Sequence, residues 1–301
     1  MKKSKLRFLL LASSFIITAF AAHAQHDGHK PHHTQTLKSK KINALNFIKL
    51  TGGLGLSTYY GDICDGWDCY QFRYSLSFGG YYRISQRFSA KADLFWTRVG
   101  NDDAIYKNER GLGFRTDIYE LSALAMFDVF KFQHKFEQRR AIEPYLEAGL
   151  GVAYFNPQGK YDGKWYGLSK YETEGKNYGN LTPVIPMGIG LRSRLHTNWN
   201  ISAEFVYRLT FTDYLDDVSG KHYKDPASFD GGATSLNANL ADRAENSIGY
   251  FPERVRGNPN KNDGYFTFNI RAEYMIAAFN DQGGKKNLNR IPTGRKTIKR
   301  R

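Results

Sequence analysis

Alternation of apolar and polar side chains with a period of two runs through most of the chain. In "WNISAEFVYRLTFTD", Trp199, Ile201, Ala203, Phe205, Tyr207, Leu209 and Phe211 share one face. Asn200, Ser202, Glu204, Arg208, Thr210 and Thr212 share the other, and Val206 breaks the pattern. Successive side chains of a strand point to opposite faces, so such a segment has one apolar and one charged side. "YFTFNIRAEYMI" repeats the design, with Phe266, Phe268, Ile270, Ala272, Tyr274 and Ile276 opposite Tyr265, Thr267, Asn269, Arg271 and Glu273. Eight segments of this kind are expected, at about 47–62, 70–84, 88–99, 114–130, 142–155, 181–194, 199–212 and 264–277. Each is long enough to hold the 9–11 residues that a tilted strand needs to cross a bilayer.

The connections alternate in length. "SQR" at 85–87 and "HTN" at 196–198 are short and 131–141 is moderate, whereas 100–113, 156–180 and 213–263 are longer. Tyr and Phe gather near segment ends, as in "STYYGD", "GGYYRI" and "VAYFNP", which suits interfacial aromatic girdles. The pattern predicts an all-β fold: an antiparallel up-and-down transmembrane β-barrel of eight strands over residues 47–277, with short periplasmic turns and long outer loops.

The polar faces carry both signs of charge. Arg73, Lys91, Asp93, Glu120, Glu147, Arg192, Glu204, Arg208, Arg271 and Glu273 are expected to form an interior charge network, with Lys49, Arg83, Glu143 and Arg194 on the same faces. An eight-stranded barrel is wide enough only for side chains to fill it, so the interior is expected to be plugged. Facing lipid, each Arg or Lys would cost about 2–4 kcal/mol at the midplane. A soluble barrel with its apolar face inward and its charges in water satisfies the same alternation.

The ends add context. "MKKSKLRFLLLASSFIITAFAAHA" has a basic start, an apolar run and a small-residue site at Ala22–Ala24, and reads as a signal peptide over 1–24, cleaved near Ala24. The formal charge of +14 falls to +10 without it, because four basic residues and no acid lie there. Residues 25–46 form a polar leader rich in His and Lys; His26, His29, His32 and His33 could hold a metal weakly, though a solvated leader accounts for them. Residues 278–301 are a basic tail, expected in the periplasm, where Lys285, Lys286, Arg295, Arg300 and Arg301 could meet an acidic partner. The excess charge sits in this tail and not on a face of the body, which argues against a nucleic-acid partner. Cys64 and Cys69 in "CDGWDC" are expected to close a small disulfide loop; a zinc site would need further ligands nearby.

Candidate chemistry is sparse. Asp213, Asp216 and Asp217 follow the seventh segment in "TFTDYLDDVSGKHY", with His222 behind them. Such a set could activate water or bind calcium. Asp, Ser and Gly in this order are also ordinary turn formers, and the plainer expectation is an outer-rim loop. No P-loop, dinucleotide fingerprint, HExxH or CxxC is present, and no catalytic residue, metal or cofactor is implied.

"YRLTFTDYLDDVSGKHY", followed by "RGNPNKNDGYFTFNIRAEYMI", resembles the PorG-like outer-membrane barrel proteins of the type IX secretion system. The resemblance extends in order through "STYYGDI", "RYSLSFGGYYRISQRFSAKADLFWTRVGNDDA", "FRTDIYELSALAMFDVF" and "IEPYLEAGLGVAYFNP", about residues 47–277. The segments 212–219 and 256–263 carry most of its specificity together, and little apart. It implies an outer-membrane barrel without enzymatic activity, surrounded by outer-membrane lipids. Such a barrel would serve the secretion and gliding machinery and contact a periplasmic lipoprotein ring and other components. The basic tail after Ala278 is longer than this family's pattern, and the His-rich leader departs from it.

Overall fold

The structure, a computed structural model, describes residues 48–64, 66, 69–102, 112–132, 139–196, 198–220, 222–243 and 255–276. The expected signal peptide, the expected leader with its histidines, and the tail with Lys285, Lys286, Arg295, Arg300 and Arg301 lie outside the described residues.

Among the described residues nine strands follow in order: β1 Ile48–Tyr60, β2 Arg73–Arg83, β3 Phe88–Asp102, β4 Gly113–Asp128, β5 Ile142–Tyr161, β6 Lys164–Gly167, β7 Leu181–Arg194, β8 Trp199–Thr210 and β9 Gly264–Ile276. All pair antiparallel, β1 pairs with β9, and β4 pairs with β5, so eight strands close into a barrel. The short β6 pairs only with the end of β5, as a hairpin rising from the wall. The expected loop at 156–180 is thus partly strand, because β5 continues to Tyr161 before turning at Asp162 and Gly163, both with positive φ. Ile48 lies opposite Ile276, so the first and last strands begin and end at the short-turn mouth.

Burial decides which face points where. Leu54, Phe78, Leu94, Leu121, Leu150, Ile189, Phe205 and Ile270 are exposed on the outside, whereas Lys91, Asp93, Glu147, Glu204 and Arg271 are buried inside. This is the polarity of a lipid-spanning barrel and the opposite of a soluble one. On β8 the exposed outer face runs from Trp199 to Phe211 just beyond it. Twelve residues at about 3.3 Å each span roughly 40 Å. The tilt of about 40° usual in such barrels reduces this to about 30 Å of height, the thickness of a hydrocarbon core.

The strands contribute six buried cations and six buried anions to the lumen. Nearest the short turns, Arg83 and Arg192 share Asp128 at 2.5 and 2.9 Å, while Arg192 and Lys49 meet Glu273 at 2.9 and 3.0 Å. The Tyr81 hydroxyl and the Asn200 amide also donate to Glu273, at 2.7 and 3.2 Å. At mid-height, Lys91 reaches Glu147 at 2.9 Å and Glu204 at 3.2 Å. Arg271 pairs with Asp93, and its Nε lies 2.8 Å from Glu204, which accepts from Tyr145 at 2.7 Å. Higher still, Arg208 meets Glu120 at 2.8 Å and lies 3.9 Å from the centre of the Phe95 ring. Small residues make the space: the Tyr145 ring packs where any side chain on Gly190 would stand, and a Cβ on Gly53 would come 2.5 Å from Cγ of Arg271.

One expected member is absent from this network. Arg73 has inward parity but begins β2 at the long-loop mouth, where it is exposed and donates to Gln71 at 3.3 Å. The strand ends there before the lumen closes over it. Asp128, which shares the parity of Glu120, takes part instead.

Glu204 binds Lys91, Arg271 and Tyr145 at once. Removing one partner of a buried pair leaves an uncompensated charge, at about 3–5 kcal/mol. Glu204→Ala is expected to lower the stability of the barrel by that amount in urea titrations in lipid vesicles. A loss below about 1 kcal/mol would mean that the lattice is not holding the lumen.

Candidate functional site

The long-loop half of the lumen is built differently. There β3, β4 and β5 turn apolar residues inward: Val99, Phe114, Ile118, Ala153 and Phe155 are fully or nearly fully buried. Their outward neighbours become polar, namely Arg98, Arg115, Asp117 and Gln158. The inward apolar lining receives Ile63 and the Cys64–Cys69 disulfide from one loop, and Leu215 and Val218 from the loop after β8. The disulfide loop is tied to the wall where Asn101 donates to the Cys69 carbonyl at 2.9 Å. Thr116 likewise donates to the Leu215 carbonyl at 2.5 Å. These loops form a plug seated in the barrel mouth.

The three carboxylates after β8 are therefore not at the rim. Asp216 and Asp217 are fully buried and Asp213 nearly so. The Tyr59 hydroxyl stands 2.6 Å from both Asp216 and Asp263. One hydroxyl proton cannot serve two carboxylates, so one of the pair holds a proton of its own. Consistent with this, burial, then the neighbouring carboxylates, raises both acids well above the usual carboxylate range, against the hydrogen bonds they accept. Asp216 also accepts from the Val218 amide and Asp263 from the Leu215 amide, both at 2.9 Å, which fixes the loop's path.

Asp217 works with a cation. It accepts from Thr173 at 2.6 Å and Tyr178 at 2.5 Å, and Arg256 lies beside it at 3.5 Å. Arg256 also pairs with Glu174 and donates to the Asp217 carbonyl at 2.9 Å. Glu174 in turn accepts from the Ser219 and Gly220 amides at 3.0 and 2.8 Å. Asp217 has a φ of 67°, a left-handed turn that Asp tolerates better than most residues. The turn-forming expectation for this stretch is met locally, but the side chains are spent on closing the plug.

His222 does not join them. It is exposed and pairs through its backbone with Val255, whereas the carboxylates are buried. Asp216 and Asp217 have no solvent path to a substrate, and among the described residues no group of His, Cys, Asp and Glu is arranged to hold a metal ion. His196 lies in an exposed short turn, and His134 is outside the described residues. The sequence reading missed Arg256, Glu174 and Asp263 as plug residues. They sit in loops, where no periodicity marks them.

Residues 36–234 match the family described as "Domain of unknown function (DUF6089)". The chain belongs to this family. The match takes in β1–β8 and Asp213, Asp216 and Asp217 but stops short of Arg256, Asp263 and β9. No protein of curated function matches the chain by sequence. Among solved structures, Neisserial surface protein A (NspA) is 14% identical over 76% of this chain and 97% of its own, with a TM-score of 0.38. Ail, the attachment invasion locus protein of Yersinia pestis, is 12% identical over 77% of this chain and 99% of its own, also at 0.38. The outer membrane protein OprG from Pseudomonas aeruginosa is 9% identical over 79% and 99%, at 0.37. At these scores the barrel architecture of this DUF6089 member rests on its own strand pairing.

The plug's acids give it a pH dependence with a definite sign. Burial, opposed by Ser219 and reinforced by Asp62 and Glu174, raises Asp213 to about 7. Asp216 and Asp263 are raised as well. An acid whose folded value exceeds its unfolded one holds its proton better in the fold, so stability falls as pH rises from the unfolded value through the folded one. For Asp213 that window is about pH 4 to 7. Amides of 213–219 are expected to exchange faster at pH 8 than at pH 5 after correction for intrinsic rates, and Asp213→Asn should remove part of the difference. Equal protection at both pH values would contradict the buried, protonated arrangement.

Proposed function

We propose that this chain is an integral outer-membrane β-barrel that serves as a non-enzymatic component of the type IX protein secretion machinery, contacting the periplasmic lipoprotein ring at its short-turn side. The observation that carries the reading is the meeting of the two segments on which the family resemblance rests. Residues 212–219 and 256–263 fold together into one plug, through Arg256 with Asp217, the Asp263 carboxylate with the Leu215 amide, and the Asp263 amide with the Thr212 carbonyl. Their coincidence in the sequence thus has a structural reason, and together they close the barrel's outer mouth.

A filled lumen suits an anchor or docking post better than a conduit. The charge lattice, the plug and, at the short-turn mouth, buried Phe132 between Arg83 and Arg139 leave a small porin as the weaker reading. A surface-binding barrel remains the second reading, favoured by the size of the folded outer loops. A hydrolase built on Asp213, Asp216, Asp217 and His222 has the least support, since the carboxylates are buried and the histidine is exposed. The basic tail is assigned to partner contact on charge alone.

Deleting the gene and measuring secretion of type IX cargo tests the proposal. Secretion is expected to stop and to return on complementation with the full chain. Normal secretion in the deletion strain would remove the assignment and move surface binding to first place.

A further inference from the structure

The outer wall of the barrel is not uniformly convex. Leu76, Trp96, Tyr119, Tyr154 and Leu181 lie in register across β2, β3, β4, β5 and β7. One step towards the short turns, Phe78, Leu94, Leu121 and Val152 form a second row in register. Between these rows the wall is hollowed into a groove of about 680 Å³. Its lining is apolar and aromatic and faces outward, where the barrel's polarity puts lipid.

Directly above the groove the same strands change character. The next outward row is Arg98, Asp117 and Asn156, and beyond it Arg115 lies opposite Gln158. Arg98 and Asp117 are joined by two bonds of 2.8 Å. Arg115 donates to Gln158 at 2.8 Å and lies 4.1 Å from the centre of the Trp165 ring. The β5–β6 hairpin adds exposed Lys160 on this same face, opposite Trp165, whereas Lys164, opposite Tyr161, lies on the other face of the hairpin. Among the described residues no carboxylate forms an ion pair with Arg115 or Lys160. An apolar groove in the wall thus runs into a ledge with two cations, Arg115 and Lys160, unneutralised by ion pairs, at the level where the wall leaves the hydrocarbon.

We propose that this wall binds an anionic membrane lipid whose headgroup ends in a phosphate monoester, the acyl chains lying in the groove and the phosphate on the ledge. Guanidinium and ammonium groups are the side chains that take phosphate oxygens, and basic residues beside a membrane surface attract anionic headgroups. Arg115 is held by Gln158 and Trp165, so it reaches the headgroup with part of its freedom already lost. The site does not depend on a secretion role, but it rests on the barrel spanning lipid.

Trp96 in the groove reports the test. The full chain is placed in phosphatidylcholine vesicles doped either with brominated phosphatidic acid or with brominated phosphatidylcholine. Quenching assigned to Trp96 is the part lost in Trp96→Phe. The phosphate-monoester lipid is expected to quench at a mole fraction lower by about tenfold, and the double variant Arg115→Gln, Lys160→Gln should abolish that preference. Equal quenching by both lipids, or a preference that survives the double variant, overturns the site and leaves the membrane reading standing. No quenching by either overturns both.

Discussion

Burying twelve charged side chains in a narrow lumen is tolerable only if each finds an opposite charge, and that constraint fixes the rest of the barrel. Desolvation of an unpaired ion would outweigh much of the fold's stability. Here six cations meet six anions, with tyrosine hydroxyls and an asparagine amide satisfying oxygens left over. The pairing reaches across the lumen, as in Lys49 with Glu273 and Lys91 with Glu204, and so depends on strand register. A slip of one residue would turn the charges to the outside and the leucines inward. The interior therefore determines which face meets lipid.

Above the lattice the logic reverses. On β4, Glu120 and Ser122 face inward opposite outward Tyr119 and Leu121, while two turns of the pleat higher Phe114 and Ile118 face inward opposite outward Arg115 and Asp117. The strand keeps its parity and exchanges its polarity. This exchange marks where the wall leaves the hydrocarbon, and it creates both special regions of the molecule. Inside, an apolar lining receives the plug; outside, cations stand over an apolar groove.

Much of this was legible in the sequence. The eight strands followed from alternation, because one wet or charged face and one apolar face must point opposite ways. Alternation alone did not say which face was inside. The balanced charges within predicted strands favoured a filled membrane-type barrel, and of the charges named for its interior network all but Arg73 are buried. Its parity was right, but its height along the strand was not readable. The polarity exchange in "FRTDIYEL" was present in the sequence and went unread, since a period-two search registers parity and not its sign. The plug was not legible at all. Tyr59 and Asp216 are 157 residues apart, and nothing local in "DYLDD" distinguishes a turn at the rim from one folded into the mouth.

The account stands on the barrel's orientation of faces, and spin labels on β4 test that most directly. With the Cys64–Cys69 disulfide kept oxidised, a label at Leu121→Cys in lipid vesicles should collide readily with oxygen and hardly at all with a water-soluble nickel complex. A label at Asp117→Cys, four residues higher on the same face, should show the reverse. Access of the nickel complex to both positions would place the apolar face in water and contradict the account.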